Sequence, residues 1–410
     1  MIVLLCIFTA IEVYSFYGLK SALRPGWGLR VARGLHLFGA SFTVMTFAAA
    51  FLTVRQGLNS PGVLRNWLMG LMVTFLVTKL VFALFLILGD VTRLTEFLYG
   101  KTSNLIRGGS DAVPMPSRRR FIAQAGLVAA AIPFSSFLYG IFKGRYDYTV
   151  HRVKMAFKDL PDAFHGMKLV QISDIHSGSF DDKAAVARGV AMIQAERPDL
   201  LVFTGDLVNN MAWEIEPYKD LFGGLQAPLG KFAVLGNHDY GDYVQWDSVA
   251  EKRANVDAVR RHNTEMGFQM LDNASVQLTR GGQTIRIAGV ENWGKPPFPQ
   301  HGDLNAALDG VSPEEFTVLL SHDPTHWDMQ VRDHAKHVHL TLSGHTHGFQ
   351  MGIEIPGIKW SPVQWRYKQW AGLYEDAGQY LYVNRGFGYI GFPGRVGIWP
   401  EITVIELVRA

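Results

Sequence analysis

The sequence predicts an α/β domain of two packed sheets flanked by helices, carried behind about four transmembrane helices. Three observations carry this. Long uncharged runs crowd the first third of the chain; strand-like and helix-like periodicities alternate from Met167 onward; and several short strand-like runs follow from Val276 to the end. Strand–helix alternation followed by strand-rich sequence is the pattern of two sheets with helices outside them.

The chain has 410 residues, enough for two or more structural units. It is 48% hydrophobic with 26 Phe, and the apolar residues concentrate near the amino terminus. A net charge of +3 is too mild to point to nucleic acid, and no nucleic-acid binding is expected. Cys6 is the only cysteine, which excludes an intramolecular disulfide framework and a zinc–thiolate site.

Residues 1–142 form the predicted membrane region, with helices at about 1–19, 35–54, 67–89 and 121–142. Each is close to the ~20 residues that cross a hydrocarbon core. Met1–Leu19 lacks a basic leader and a small-residue cleavage site, so it reads as a retained helix. The first connection holds Lys20, Arg24, Arg30 and Arg33, and the third holds Arg93, Lys101, Arg107 and Arg118–Arg120; the second has only Arg55 and Arg65. Basic loops stay cytoplasmic. Four crossings then put the amino terminus and everything after Phe142 on the non-cytoplasmic side of a cell membrane. Ser117–Ile122 is similar to a twin-arginine export signal, or simply anchors the fourth helix at the cytoplasmic surface; both give the same topology.

Glu12 and Lys79 fall at similar depth in this arrangement. Intramembrane charges usually find partners. A pair between the first and third helices is expected, against the alternative of a protonated Glu12 and a snorkelling Lys79.

Residues 143–148 read as a short polar linker in which Gly144 permits some freedom, and residues 149–410 as one compact domain. Within it, strands are expected at Met167–Ser173, Leu200–Thr204, Lys231–Leu235, Val276–Thr279, Thr284–Val290, Thr317–Leu320, Val338–Leu342, Tyr380–Asn384 and Ile402–Leu407. Helices are expected at Asp182–Glu196, Trp213–Phe222 and Ser248–Met266; Asn305–Leu308 is too short to assign.

Chemistry-bearing residues gather where these strands end. Asp174 and His176, Asp206, Asn237, His322, and His345 with His347 each follow an apolar run. Functional groups in α/β folds collect beyond the carboxyl ends of strands. Two carboxylates, an amide and four imidazoles are too many for one tetrahedral zinc and suit two adjacent divalent ions, with one Asp bridging them. Such ligands accept Mn, Fe, Zn or Co, and the sequence does not choose among these.

The ordered set Asp174-x-His176, Gly205-Asp206, Gly236-Asn237-His238-Asp239, His322 and Gly344-His345-x-His347 resembles the calcineurin-like metallophosphoesterase superfamily, in its membrane-anchored bacterial subgroup. The resemblance runs from near Val150 to the end. It implies a four-layer αββα sandwich. It also implies that Asp174, His176 and His347 hold one metal, that Asp206 bridges, and that Asn237, His322 and His345 hold the other. His238 would be the catalytic residue, steadying phosphoryl oxygens or protonating the leaving group. Asp239 is left without a role. Many members have Gly-Asp-x-x-Asp, whereas this chain has Asn209 at the second acidic position, so His238 loses a carboxylate partner. That favours pyrophosphates or activated diesters, whose leaving groups need little protonation.

His326, His334, His337 and His339 lie outside the pattern and are expected to serve packing. Gly236, Gly344 and Gly348 are expected to permit tight turns. The Trp360–Trp370 stretch, with Phe387, Tyr389, Phe392 and Trp399, either lines an entrance for a lipid headgroup or packs as an aromatic loop. Arg366, Lys368, Arg385 and Arg395 are candidates for holding substrate phosphate.

The resulting expectation is a membrane-anchored two-metal phosphohydrolase in which a metal-bridging hydroxide attacks phosphorus. Its partners are membrane lipids and a phosphorylated, lipid-linked substrate such as a UDP-diacylglucosamine-like molecule. A phosphodiesterase for soluble nucleotides, with the helices a mere tether, is the alternative; a non-catalytic metal-binding membrane protein is the remote one.

Overall fold

The computed structural model describes residues 2–56, 63–107 and 116–410. The chain divides into two units, residues 1–139 and 140–410. The first is helical: α1 (Ile2–Ala22), α2 (Trp27–Gln56), α3 (Val63–Arg107) and α4 (Pro116–Phe142), whose end enters the second unit. Among the described residues, two stretches, Asn66–Tyr99 and Arg118–Phe142, are helical, long and apolar enough to cross a membrane. Residues 57–62 and 108–115, which belong to the loops in the charge argument, lie outside the described residues.

Among the described residues, Leu19, Phe82, Leu86, Ala123 and Ala130 belong to an apolar cluster of the helical unit. Lys79 Nζ donates to Glu12 Oε1 and Oε2 at 2.6 and 2.7 Å, so the pair expected between α1 and α3 is present. His36 of α2 is a third member that charge counting missed. Its Nε2 lies 2.9 Å from Glu12 Oε2, and its carbonyl accepts from Lys79 at 3.3 Å.

In the second unit the order is β1 (Thr149–Phe157), β2 (Met167–Ile172), α5 (Lys183–Ala195), β3 (Leu200–Phe203), α6 (Lys219–Gly223), β4 (Lys231–Ala233), α7 (Val249–Glu265), β5 (Gln269–Met270), β6 (Ala274–Arg280) and β7 (Gln283–Gly289). There follow α8 (Leu304–Ala307), β8 (Thr317–Leu320), β9 (Leu340–Ser343), β10 (Ile353–Ile355), β11 (Ile358–Trp360), β12 (Gly372–Asp376), β13 (Gln379–Val383) and β14 (Glu401–Arg409). One sheet has the order β1-β14-β2-β3-β4-β5 and the other β12-β13-β9-β8-β7-β6, with β10 and β11 a separate hairpin.

The predicted four layers are present. Leu169, Leu200 and Val202 of the first sheet meet Ile285, Val318 and Leu340 of the second. Their neighbours Val170, Leu201 and Phe203 face the other way, onto Val186 and Val190 of α5 and Val256 and Val259 of α7. Leu319 and Leu381 of the second sheet cover Leu304, Ala307 and Trp327 on its outer side. Side chains alternate across a strand, so strands buried on both faces read as unbroken apolar runs.

Two expectations are corrected. The predicted helix Trp213–Phe222 is a 3-10 stretch, Ala212–Tyr218, followed by the short α6; Pro217 lies inside the 3-10 stretch and offers no N–H to an α-helical ladder. The segment 143–148, read as a short linker in which Gly144 permits freedom, packs against the rest of the second unit. Arg145 donates to Asp181 at 2.9 Å and to the Tyr389 hydroxyl at 3.0 Å, and Tyr148 stacks on Phe387 at 4.4 Å between ring centroids. A Cβ at Gly144 would meet the Arg395 carbonyl at 2.6 Å, so this glycine serves close approach rather than motion.

Candidate metal centre

Asp174 and His176 follow β2, Asp206 follows β3 and Asn237 follows β4, all at carboxyl ends of parallel neighbours. His322 follows β8, and His345 and His347 follow β9, likewise parallel neighbours. The packing of the two sheets brings both sets of strand ends together. The turns are strained: Asp174, His176, Asp206, His345 and His347 have φ of 52, 47, 61, 70 and 50°. Non-glycine residues rarely adopt this left-handed region, and such strain clusters at functional sites.

Asp174, His176 and His347 form one group of potential metal ligands, and Asp206, His322 and His345 another, the donor atoms of each lying within 4.8 Å of one another. His347 Nε2 is 3.0 Å from His176 Nε2 and 3.2 Å from Asp174 Oδ1. Asp206 Oδ2 lies between the groups, 3.5 Å from His176 Nε2 and 3.2 Å from His322 Nε2. Asn237 Oδ1 joins the second group at 2.8 Å from His345 Nδ1 and 3.2 Å from His322 Nε2. All seven candidate ligands therefore converge.

The donor set fits cations. His322 Nδ1 donates to the Thr204 carbonyl at 2.7 Å, and His345 Nε2 donates to the Tyr367 hydroxyl at 2.7 Å. Each bond places the ring proton on the outer nitrogen and leaves the inner one with a lone pair. His345 Nδ1 then faces Asn237 Oδ1, acceptor against acceptor, an arrangement that a cation satisfies. Burial pushes His176, His238 and His345 below the usual imidazole pKa, keeping them neutral. Burial opposes charge on both Asp206 and His322, yet they hold each other charged across 3.2 Å: Asp206 pushes the His322 imidazole up to about 10, and His322 keeps the Asp206 carboxyl well below its ordinary value, so His322 Nε2 offers its lone pair to a proton or to a cation.

Asp239 has a clear structural task. Its Oδ2 accepts from the backbone N–H groups of Asp206 and Gly236 at 2.9 Å each, and its Oδ1 from Leu207 at 2.8 Å. It ties the turn carrying Asp206 to the turn carrying Asn237. Burial and the nearby Asp206 push its carboxyl up to about 7, against those N–H bonds. Gly236 and Gly344 serve close approach rather than turning: a Cβ would meet Asp206 Oδ1 at 2.2 Å and Ser173 Oγ at 2.0 Å. Gly348, with φ of 54°, does sit in a turn.

His238 Nδ1 donates to the Asn209 carbonyl at 2.8 Å, and its backbone N–H to Asp206 Oδ1 at 2.8 Å. The Asn209 side chain turns away to Ser179 at 3.0 Å. Tyr243, which no sequence pattern marked, packs its ring on His238 at 4.4 Å with a 32° tilt, and its hydroxyl accepts from Asn237 Nδ2 at 2.7 Å. That bond aims Asn237 Oδ1 into the second group.

A cavity of about 440 Å³ opens over the centre, lined by His176, Asp206, Asn237, His238, His345 and His347 together with Phe298, Phe349, Val363, Tyr367 and Ile390. Arg366 lines it too, and Lys368 is exposed but not among its walls. The other two basic candidates are committed elsewhere. Arg385 is paired with Glu401 at 2.5 Å and Glu354 at 2.5 Å. Arg395 is fully buried, donates to the carbonyls of Arg385 and Gly388, and lies 3.1 Å from His347 Nδ1, behind the ligand.

The aromatic stretch divides as well. Tyr367 and Trp370 are buried, Trp360 and Trp365 exposed, while Phe387 and Tyr389 pack in the core beside α5 rather than at an entrance. His326, His334, His337 and His339 stay outside the cluster. His326 bonds Ser321 and Gln330, His334 bonds Asn305, and His337 meets His339 edge-on.

Known proteins are similar to both parts of the chain. The family described as "Calcineurin-like phosphoesterase" matches residues 167–349, and "Probable Calcineurin-like phosphoesterase, transmembrane domain" matches residues 1–145. The metallophosphoesterase YkuE of Bacillus subtilis is 32% identical over 71% of this chain and 97% of its own length. A transmembrane protein with metallophosphoesterase domain from Danio rerio is 29% identical over 81% of this chain and 71% of its own. UDP-2,3-diacylglucosamine pyrophosphatase LpxG of Chlamydia trachomatis is 31% identical over 56% of this chain and 81% of its own. The chain belongs to the calcineurin-like metallophosphoesterases, as a metal-dependent phosphoester hydrolase behind an amino-terminal membrane domain.

Proposed function

We propose that the protein hydrolyses a phosphoester or pyrophosphate bond of a lipid-linked substrate of the UDP-2,3-diacylglucosamine type. The observation that carries this is the cavity itself, lined both by five of the seven candidate ligands, His176, Asp206, Asn237, His345 and His347, and by Phe298, Phe349, Val363 and Ile390. A polar phosphate and an apolar lipid stem find matching surfaces in one space. The likeness to LpxG supports the same substrate class.

Two groups of residues hold the cofactors in this reading: Asp174, His176 and His347 for one divalent ion, Asn237, His322 and His345 for the other, with Asp206 shared. Two such ions supply an acidified water and neutralise charge developing on phosphorus. His238 carries its proton on Nδ1, held by the Asn209 carbonyl, and leaves Nε2 as an acceptor. Neutral in its buried place, it is better suited to orienting a proton than to donating one to a strongly basic alkoxide. That matches a pyrophosphate, whose departing phosphate needs no proton. Arg366 at the cavity mouth is the candidate to meet a phosphate from outside.

Four crossings with the catalytic unit on the non-cytoplasmic side complete the reading, supported by Lys20, Arg24, Arg30 and Arg33 around the join of α1 and α2 and by Arg93, Lys101, Arg107 and Arg118–Arg120 around that of α3 and α4. The test is an assay of the purified full chain, loaded with defined Mn, Zn, Fe or Co, against UDP-2,3-diacylglucosamine, bis(p-nitrophenyl) phosphate and nucleotides. Turnover of the lipid pyrophosphate that disappears in Asp206→Asn and His238→Ala is expected. Preference for soluble nucleotides, undiminished by removing lipid, would leave the helices as a tether only.

A further inference from the structure

The hairpin β10–β11 wears its pattern inside out. A Pro356-Gly357 turn with Gly357 at φ 82° closes it, and its register pairs Ile353 with Trp360, Glu354 with Lys359, and Ile355 with Ile358. Side chains alternate across strands, so the three isoleucines and Trp360 share one face and the charged pair the other. The charged face meets the domain: Glu354 receives Arg385 Nε at 2.8 Å, and Lys359 donates to the Ala371 carbonyl beside the Trp370 ring. The apolar face looks outward, with Ile353, Ile355 and Ile358 exposed by 48, 56 and 52%. Trp365, 78% exposed, meets Trp360 edge-on, and Phe349, 55% exposed, extends the patch to the cavity.

The base of this hairpin adjoins the end of α4. Gly352 N–H donates to the Val396 carbonyl at 2.9 Å, and Met351 bridges Val396. One residue away, Arg395 N–H donates to the Gly140 carbonyl at 3.2 Å. A Cβ at Gly140 would meet the Arg395 carbonyl at 2.5 Å, so the last turn of the membrane-type helix and the hairpin root share one segment of backbone. Tryptophan settles at a bilayer interface, and an exposed apolar face beside it gains by burial at the boundary of headgroups and acyl chains.

We infer that the outward face of β10–β11, with Trp365 and Phe349, rests in the interfacial layer of the same membrane that holds the helices, and delivers lipid to the cavity beside it. The delivery step rests on the proposed lipid-linked substrate; the membrane contact does not.

The test uses the full chain in phosphatidylcholine–phosphatidylglycerol nanodiscs, with a nitroxide attached through Ile355→Cys in a Cys6→Ser background. A second label, through Asp309→Cys on the loop after α8, is the aqueous control. Position 355 is expected to be open to oxygen and shielded from a water-soluble nickel chelate, with position 309 the reverse. A label at 355 as open to nickel as that at 309 overturns the contact. Shielding from both reagents also overturns it, in favour of a protein partner or a second copy of the chain.

Ile355→Asp/Ile358→Asp is expected to lower kcat/KM on the bilayer-presented pyrophosphate about tenfold, and to leave bis(p-nitrophenyl) phosphate unchanged. That unchanged value also shows that the variant is folded. Equal kcat/KM on the lipid overturns the delivery step. A label lodged in the bilayer without any turnover of lipid overturns the substrate proposal while the contact stands.

Discussion

The carbonyl of Asn209, not its side chain, faces His238 at 2.8 Å from Nδ1. The amide is engaged with Ser179, and the backbone N–H of Asn209 with Glu214 at 2.5 Å. Burial holds the Glu214 carboxyl above its usual value. Restoring the acidic residue of other members by Asn209→Asp would therefore place a second carboxylate beside a buried one and leave His238 where it is. The expected result is a loss of about 1–3 kcal/mol in stability with no faster cleavage of alkyl phosphomonoesters. Thermal melts and kcat on an alkyl monoester check it. A several-fold rise in kcat would mean that the side chain does reach His238.

The Tyr367 hydroxyl holds His345 Nε2 at 2.7 Å, and Asp323 Oδ2 stands 3.4 Å from the same nitrogen. Outer partners of this kind fix a ligand's tautomer, and losing one typically costs about 10- to 100-fold in metal affinity. Tyr367→Phe keeps the ring and removes the bond. Calorimetric titration should then show one of two sites weakened by that factor and the other unchanged. Equal weakening of both, or of neither, would detach Tyr367 from the second group.

Why some of this was legible and some not follows from particular residues. β3 and β8 are buried on both faces, so Leu200–Phe203 and Thr317–Leu320 stand out as apolar runs, and the ligands at their ends stand out with them. β1 is an edge strand whose exposed positions interrupt that signal, and β10–β11 reverses it. Tyr243 and Tyr367 act through contacts made only after the sheets pack, with no residue pattern to announce them. Arg385 and Arg395 read as phosphate binders because charge type is visible in sequence, whereas Glu401 and the carbonyls that engage them are not.

In the helical unit, Glu12 is shared between Lys79 and His36, at 2.6 and 2.9 Å. Removing one partner of a buried pair strands the other charge, whereas removing both is often close to neutral. Lys79→Met is expected to lower the melting temperature of the full chain in detergent, by an amount equivalent to about 3 kcal/mol. Glu12→Gln/Lys79→Met should recover most of it. Additive losses in the double variant would show that the three groups do not act as a unit.

His326 supplies a pH signature separate from the metal ligands. Its ring sits fully buried between Ser321 Oγ at 2.9 Å and Gln330 Oε1 at 3.1 Å, beside Trp293. Burial lowers its pKa to about 4, against about 6.5 in an unfolded chain. The folded state thus prefers the neutral ring. Between those two values the unfolded chain binds the extra proton, so this contribution is complete above pH 6.5 and shrinks as pH falls toward 4. The whole span is worth at most about 3 kcal/mol. With metal saturating, melts of the full chain and of His326→Gln from pH 7.5 to 5 isolate it, because every other titrating group is common to both. The advantage of the natural chain over the variant should diminish steadily on acidification. A difference independent of pH would mean that the imidazole already carries its proton in the folded protein.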